Sequence, residues 1–157
     1  MIEIEIPGTG ALTIEHVLCD YNGTLAVNGD LIEDIALRLQ TLAAQVAVHV
    51  VTADTYGSVE RALAGLPVQV HVLPSDHPQD RGKLDLLHEL NPLHTAALGN
   101  GRNDRLMLRA AVLGIGVIDA EGACFETLEA ADMVVRSASE ALDLLIHPKR
   151  LVAGLRI

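Results

Sequence analysis

Ile2, Ile4 and Ile6 alternate with Glu3 and Glu5 at the start of the chain, the period-two pattern of a strand with one wet face. Pro7-Gly8-Thr9-Gly10 interrupts it as a turn, and Ala11 to Cys19 returns as a second strand, so the pattern predicts an N-terminal β-hairpin. The second strand becomes more continuously apolar toward Asp20, as expected of a strand passing from an edge into a core. Beyond Asn28-Gly29 the period changes. Leu31, Ile35, Leu39 and Leu42 recur at helical spacing, with Glu33, Asp34, Arg38 and Gln40 off that face. A β-branched run from Val46 to Val51 follows, then a helix from about Tyr56 to Ala64, closed by Gly65 and Pro67. The alternation continues with strand Val68 to Leu73, helix Gln79 to Leu90, strand Thr95 to Leu98 and helix Asp104 to Val112. Strand Leu113 to Ile118, helix Cys124 to Ala130, strand Met133 to Val135, helix Glu140 to Ile146 and a short helix within 148–157 complete it.

Regular alternation of this kind predicts an α/β fold: a three-layer, Rossmann-like parallel sheet with helices on both faces, in a single domain over residues 1–157. The Asn28-Gly29 turn adds a small flap from about Leu25 to Leu31, and no segment is left over for a cap domain.

Composition narrows this picture. Half of the 157 residues are hydrophobic but only 2% are aromatic, so the core must be aliphatic. The length suffices to bury it without disulfides or metals. A net charge of −10, from 11 basic and 21 acidic residues, argues against nucleic-acid or anionic-membrane surfaces. No window reaches the length of a membrane span and the first residues lack a signal-peptide pattern, so the expectation is a cytoplasmic protein. Cys19 and Cys124, in apolar contexts without CxxC spacing, are expected to be free buried thiols. The seven histidines, His16, His49, His71, His77, His88, His94 and His147, show no metal-ligand spacing. They are read as residues in or beside strands rather than a zinc site.

Candidate chemistry begins at Val17-Leu18-Cys19-Asp20-Tyr21-Asn22-Gly23-Thr24-Leu25. A short apolar run closed by Asn-Gly delivers Asp20 to the C-terminal rim of the sheet, where open α/β sheets bind ligands. The turn amides beyond it suit a phosphate. Three other strand ends carry polar groups: Thr52 with Asp54, Lys83 after the next strand, and Gly99-Asn100-Gly101-Arg102-Asn103-Asp104. In a parallel sheet such ends fall on one edge, so these groups converge although far apart in sequence.

With these residues in order, the chain resembles the haloacid dehalogenase superfamily, whose phosphohydrolases carry D-x-D-G-T, a strand ending in Thr or Ser, a lysine and a final acidic motif. The match is nearest to the phosphorylation domain of P-type ATPases: Thr52-Ala53-Asp54 resembles their T-G-D, and Gly99 to Asp104 their G-D-G-x-N-D. The resemblance implies a Mg²⁺-dependent phosphohydrolase or phosphotransferase acting through an aspartyl phosphate on a small phosphorylated or acyl-phosphate substrate. Asp20 is then the nucleophile, with Asn22, Thr52 and Lys83 as further catalytic positions. Gly23, Thr24, Thr52, Ala53 and Lys83 are implied to hold phosphate, and Asp20, Asn22 (through its carbonyl), Asn100 and Asp104 to hold Mg²⁺. Asp54, Gly99, Gly101 and Asn103 are implied to support them. A second subunit is expected to cover so open a site.

Two positions depart from the pattern. Asn22 stands where the phosphatases have their acid–base Asp, and an amide carries no proton at neutral pH. Asn100 stands where a metal-binding Asp is expected and brings an oxygen without charge. These departures motivate an alternative, a degenerate domain that binds Mg²⁺, phosphate or a protein partner without turnover. A dinucleotide-binding reading fails for lack of GxGxxG after the first strand.

Overall fold

The computed structural model describes residues 1–54 and 56–157. The first strand, β1 (Ile2–Ile6), pairs antiparallel with β2 (Gly10–Ile14), as the alternating pattern predicts. The predicted second strand does not run unbroken to Cys19. It bends at Glu15 and restarts as β3 (His16–Asp20), because one straight strand cannot both pair with β1 and occupy the centre of another sheet. At the bend the Glu15 N–H donates to the His94 carbonyl (2.9 Å) and the Glu15 carbonyl accepts from Ala47 N–H (2.9 Å), so the backbone stays paired.

The remaining strands are the flap pair β4 (Ala26–Val27) and β5 (Asp30–Leu31), then β6 (Ala47–Thr52), β7 (Gln69–Val72), β8 (Thr95–Gly99), β9 (Leu113–Val117) and β10 (Met133–Val135). The helices are α1 (Ile35–Ala43), α2 (Ser58–Ala62), α3 (Gln79–Glu89), α4 (Arg105–Ala110), α5 (Phe125–Ala130), α6 (Ala138–Ile146) and α7 (Lys149–Leu155). Three helices differ from the sequence reading. The stretch predicted from about Tyr56 to Ala64 is helical over five residues only. The one predicted over Asp104–Val112 starts as a 3₁₀ turn (Arg102–Asp104) and stops at Ala110. Its end is set by Val112, whose N–H is drawn to the carbonyls of Pro92 and Thr95. Helix α6 begins two residues before Glu140, where the Ser137 hydroxyl accepts the Glu140 N–H as an N-cap.

The main sheet has six parallel strands in the order β10-β9-β8-β3-β6-β7. From β3 the chain winds outward through β6 and β7, then returns to the other side of β3 through β8, β9 and β10. The order therefore reverses between β3 and β8, and ligands of such sheets bind outside the strand ends at that reversal. Val17, Cys19, Val48 and Val50 face one side, packed with Ile35, Leu39, Leu42, Leu142, Leu145 and the isoleucines of β1. Leu18, Val51 and Ala97 face the other, packed with Leu86 and Leu87 of α3 and Met107 and Leu108 of α4. Asp20 shares the parity of Leu18 and so faces α3. No helix is long and apolar enough to cross a membrane among the described residues.

Two expectations about special side chains change. Cys19 is buried, and burial first, then the Asp20 charge, pushes its thiol up to about 12; Cys124 is only half-buried. Three of the scattered histidines form a row across adjacent strands: His16 Nδ1 lies 3.1 Å from His49 Nε2, and His49 Nδ1 lies 3.0 Å from His71 Nε2. Each contact needs one N–H and one lone pair, so three neutral rings with a consistent tautomer satisfy both. Burial, then the neighbouring His71 and His16, lowers His49 to about 4.

Candidate active site

Asp20 ends the central strand, and its carboxylate meets two partners. Lys83 Nζ, carried inward by α3, donates to Oδ1 at 2.7 Å, and the Thr24 hydroxyl lies 3.1 Å from Oδ2. The same Lys83 donates to Asp104 Oδ1 at 2.6 Å. All three charged groups are buried, with Lys83 1% and Asp104 0% exposed. The sequence reading put Lys83 in the site without a partner; the fold makes it the bridge between two acids that lie 84 residues apart in the chain (20 and 104).

Asp104 is fixed from its other side. Its Oδ2 accepts the N–H groups of Asn100 and Gly101, both at 2.9 Å. Gly99 is what permits this: a Cβ there would lie 2.5 Å from Asp104 Cβ and Cγ. One Asp104 oxygen thus holds the lysine and the other the 99–101 loop.

Burial and the Asp104 charge push the Asp20 carboxyl up to about 7, against the opposite pull of Lys83 and Thr24. Burial alone would favour a neutral amine at Lys83, but the charges and hydrogen bonds of Asp20 and Asp104 hold its pKa above the ordinary value. Two carboxylates and one ammonium leave one negative charge in excess, which adds to burial in raising the Asp20 pKa. A hard cation suits that excess. The donor set for one is lean: the Asp20 carboxylate plus neutral oxygens such as Asn100 Oδ1. Among the described residues no group of three His, Cys, Asp or Glu side chains is arranged to hold a metal. The residues fit a weakly held divalent cation.

Thr52 ends β6 beside Asp20 and is buried. Its Oγ accepts the Asp54 N–H (3.0 Å), and a hydroxyl that accepts keeps its own proton to donate. Ala53 is exposed at the rim. Asp54 is engaged by the start of α2. Its carboxylate accepts from the Ser58 hydroxyl and from the N–H groups of Tyr56, Ser58 and Val59, and these bonds hold it at about 2. Asp54 is thus an N-terminal cap for α2.

The turn after Asp20 differs from expectation in one respect. The Gly23 N–H donates to Ala26 O (2.9 Å) and the Thr24 N–H to Tyr21 O (3.3 Å), so these amides shape the turn instead of pointing at a ligand. Gly23 is required on two counts. Its φ is +78°, and a Cβ would lie 2.5 Å from Asn100 Nδ2. Asn22 is exposed at the rim, and Gly101 and the half-buried Asn103 lie on the loop that presents Asn100.

Sequence reasoning missed the loop of residues 118–124. Its Gly122 carbonyl accepts from Asn100 Nδ2 at 3.0 Å, and Glu121 Oε1 accepts the Asn28 N–H at the flap tip at 2.8 Å. Tyr21 Oη, from beside Asp20, donates to Gly29 O of the same flap (3.2 Å). The positive φ values of Asn28 and Gly122 mark turns, but nothing local signals that residues 93 positions apart meet.

No protein-family model matches the chain. The uncharacterized protein MJ0073 of Methanocaldococcus jannaschii is 47% identical over 78 residues, which span 47% of this chain and 84% of that protein. A Legionella pneumophila protein assigned to subfamily III A of the HAD superfamily of hydrolases superposes with TM-score 0.71 at 19% identity, over 90% of this chain and 87% of that one. The 3-deoxy-D-manno-octulosonate 8-phosphate phosphatase of Moraxella catarrhalis, solved with magnesium, phosphate and KDO, superposes with TM-score 0.70 at 18% identity, over 91% and 94%. The cobalt-bound phosphatase of Haemophilus influenzae gives 0.71 at 18%, over 88% and 90%. By sequence the chain belongs to the same family as MJ0073, and its fold is like that of the HAD hydrolases.

Proposed function

We propose that the protein is a Mg²⁺-dependent phosphohydrolase or phosphotransferase that uses Asp20 as nucleophile on a small phosphorylated or acyl-phosphate substrate. The observation that carries this reading is the buried Lys83 bridge from Asp20 to Asp104 at the strand reversal. A structural ion pair has no need of that position, whereas a phosphoryl group needs a carboxylate and a fixed cation there. The phosphatases of like fold from M. catarrhalis and H. influenzae, solved with magnesium or cobalt, support the substrate class and a divalent cation.

In the proposed reaction an Asp20 oxygen attacks phosphorus while the bond to the leaving oxygen breaks, and that oxygen keeps the electron pair. Lys83 and the Thr52 hydroxyl stabilise the charge on the transferring group. Water then attacks the phosphorus and Asp20 departs, releasing phosphate. Asp20, the Asn22 carbonyl and Asn100 would hold Mg²⁺, with Asp104 behind them; the ion supplies positive charge that the pair of acids lacks. Asn22 provides no proton to the leaving group, so acyl and other activated phosphates, whose leaving groups depart unprotonated, suit the site best. A second reading, binding without turnover, is favoured by the amides at 22 and 100.

Phosphoenzyme trapping separates the two. Incubation with Mg²⁺ and acetyl phosphate, or beryllium fluoride, is expected to give an adduct on Asp20 that is lost in Asp20→Asn. A wild-type protein that forms no adduct where an active relative is labelled refutes the catalytic reading.

A further inference from the structure

Asn100 is engaged through every polar group it has. Its N–H donates to Asp104 Oδ2 (2.9 Å), its carbonyl accepts from Cys124 N–H (2.8 Å), Nδ2 donates to Gly122 O (3.0 Å), and Oδ1 lies 3.2 Å from the Thr24 hydroxyl. That hydroxyl is the one that also reaches Asp20 Oδ2. Three loops that are remote in sequence, 21–24, 99–104 and 118–124, therefore meet at one side chain.

The amide is not interchangeable with a carboxylate at this place. Nδ2 is the only part of the side chain that donates, and its acceptor is a backbone carbonyl. An Asp at position 100 would put an anionic oxygen against Gly122 O with no proton between them, and leave that carbonyl unpaired. The preceding residue of the loop, Glu121, accepts the Asn28 N–H at the flap tip. Gly122 is thus the joint through which Asn100 and the flap are connected.

We propose that Asn100 is a positioning residue that latches the 118–124 loop, and through Glu121 the flap, onto the nucleophile turn. This rests on the reading of Asp20 as the nucleophile only for its consequence in catalysis; the latch itself is independent of it. An amide at this position supplies the donor that holds the rim together. Thr24 adds a route of communication. It has a single proton for two acceptors, and the charged Asp20 is the stronger one. Once Asp20 carries a phosphoryl group that oxygen loses its charge, and the proton turns to Asn100.

Amide hydrogen exchange without metal or substrate tests the latch. Asn100→Asp is expected to raise exchange at Asn28 and Cys124 by about tenfold or more, the factor that corresponds to one lost hydrogen bond of about 1.4 kcal/mol. Glu121→Ala is expected to raise exchange at Asn28 alone, and Glu121→Gln, which keeps an acceptor, to restore it. If Asn100→Asp fails to fold, the Glu121 pair carries the test. Exchange within twofold of wild type in Asn100→Asp overturns the proposal, whatever its Mg²⁺ affinity. Unchanged exchange at Asn28 in Glu121→Ala overturns the flap connection. Because these readouts need no turnover, failure of the trapping experiment leaves them intact.

Discussion

Replacing Lys83 by Met is expected to be among the most damaging single changes in this protein. At an effective dielectric of about 20, an ammonium 2.7 Å from a carboxylate gains about 6 kcal/mol, and Lys83 makes two such contacts. Most of that gain offsets the desolvation of three ions that are almost fully buried. The net worth of the bridge is therefore small, but the cost of breaking it is not. Met fills the same volume and leaves Asp20 and Asp104 facing each other without a cation. Removing one member of a buried pair costs about 3–5 kcal/mol, a large share of the roughly 5–15 kcal/mol that stabilises a domain. The assay is urea unfolding at pH 7 without divalent ions. Mg²⁺ should recover part of the loss if it binds between the acids. The triple variant Asp20→Asn, Lys83→Met, Asp104→Asn removes all three charges and should return to within about 2 kcal/mol of wild type. A Lys83→Met protein less than about 1 kcal/mol below wild type, or a triple variant worse than the single, refutes the reasoning.

Other outcomes follow from the same geometry. His49, lowered to about 4 from an ordinary 6.5, binds fewer protons folded than unfolded between those values, so its contribution to stability is complete above pH 6.5 and disappears as pH falls toward 4. The expected loss is about 3 kcal/mol; a His49→Gln protein should show a flatter unfolding profile over this window, and an identical slope would count against the row of rings. Gly99→Ala drives a Cβ into Asp104 at 2.5 Å; it should cost about 1–3 kcal/mol and lower adduct formation at Asp20, measured by intact mass. Asn22→Asp restores a proton carrier at the rim and should raise turnover of an alkyl phosphate monoester by roughly 10²–10⁴-fold, with little change for acetyl phosphate; equal gains on both substrates would argue that leaving-group protonation is not what the site lacks.

The layered α/β architecture of this protein was legible from its residues because the buried strands are short apolar runs and the first crossover helix carries a 3.6-residue stripe, both of which are local properties. The position of Asp20 at a strand end was legible for the same reason, since Asn-Gly must turn. Gly99, Asp104 and Lys83 were readable as a set only through their order along the chain. Tertiary structure alone decided the rest. It bent the hairpin at Glu15, where two sheets make incompatible demands on one strand. It joined His16, His49 and His71, because parallel register, invisible in any single strand, sets which residues on neighbouring strands face each other. It turned Asp54 into a helix cap and committed the Gly23 and Thr24 amides to their own turn, since an unpaired group near the surface takes the nearest partner. And it showed what the amide at position 100 does. Sequence registers the loss of a carboxylate there, whereas the gain, a hydrogen bond to the carbonyl of Gly122, exists only once residues 22 positions apart have been brought together by packing.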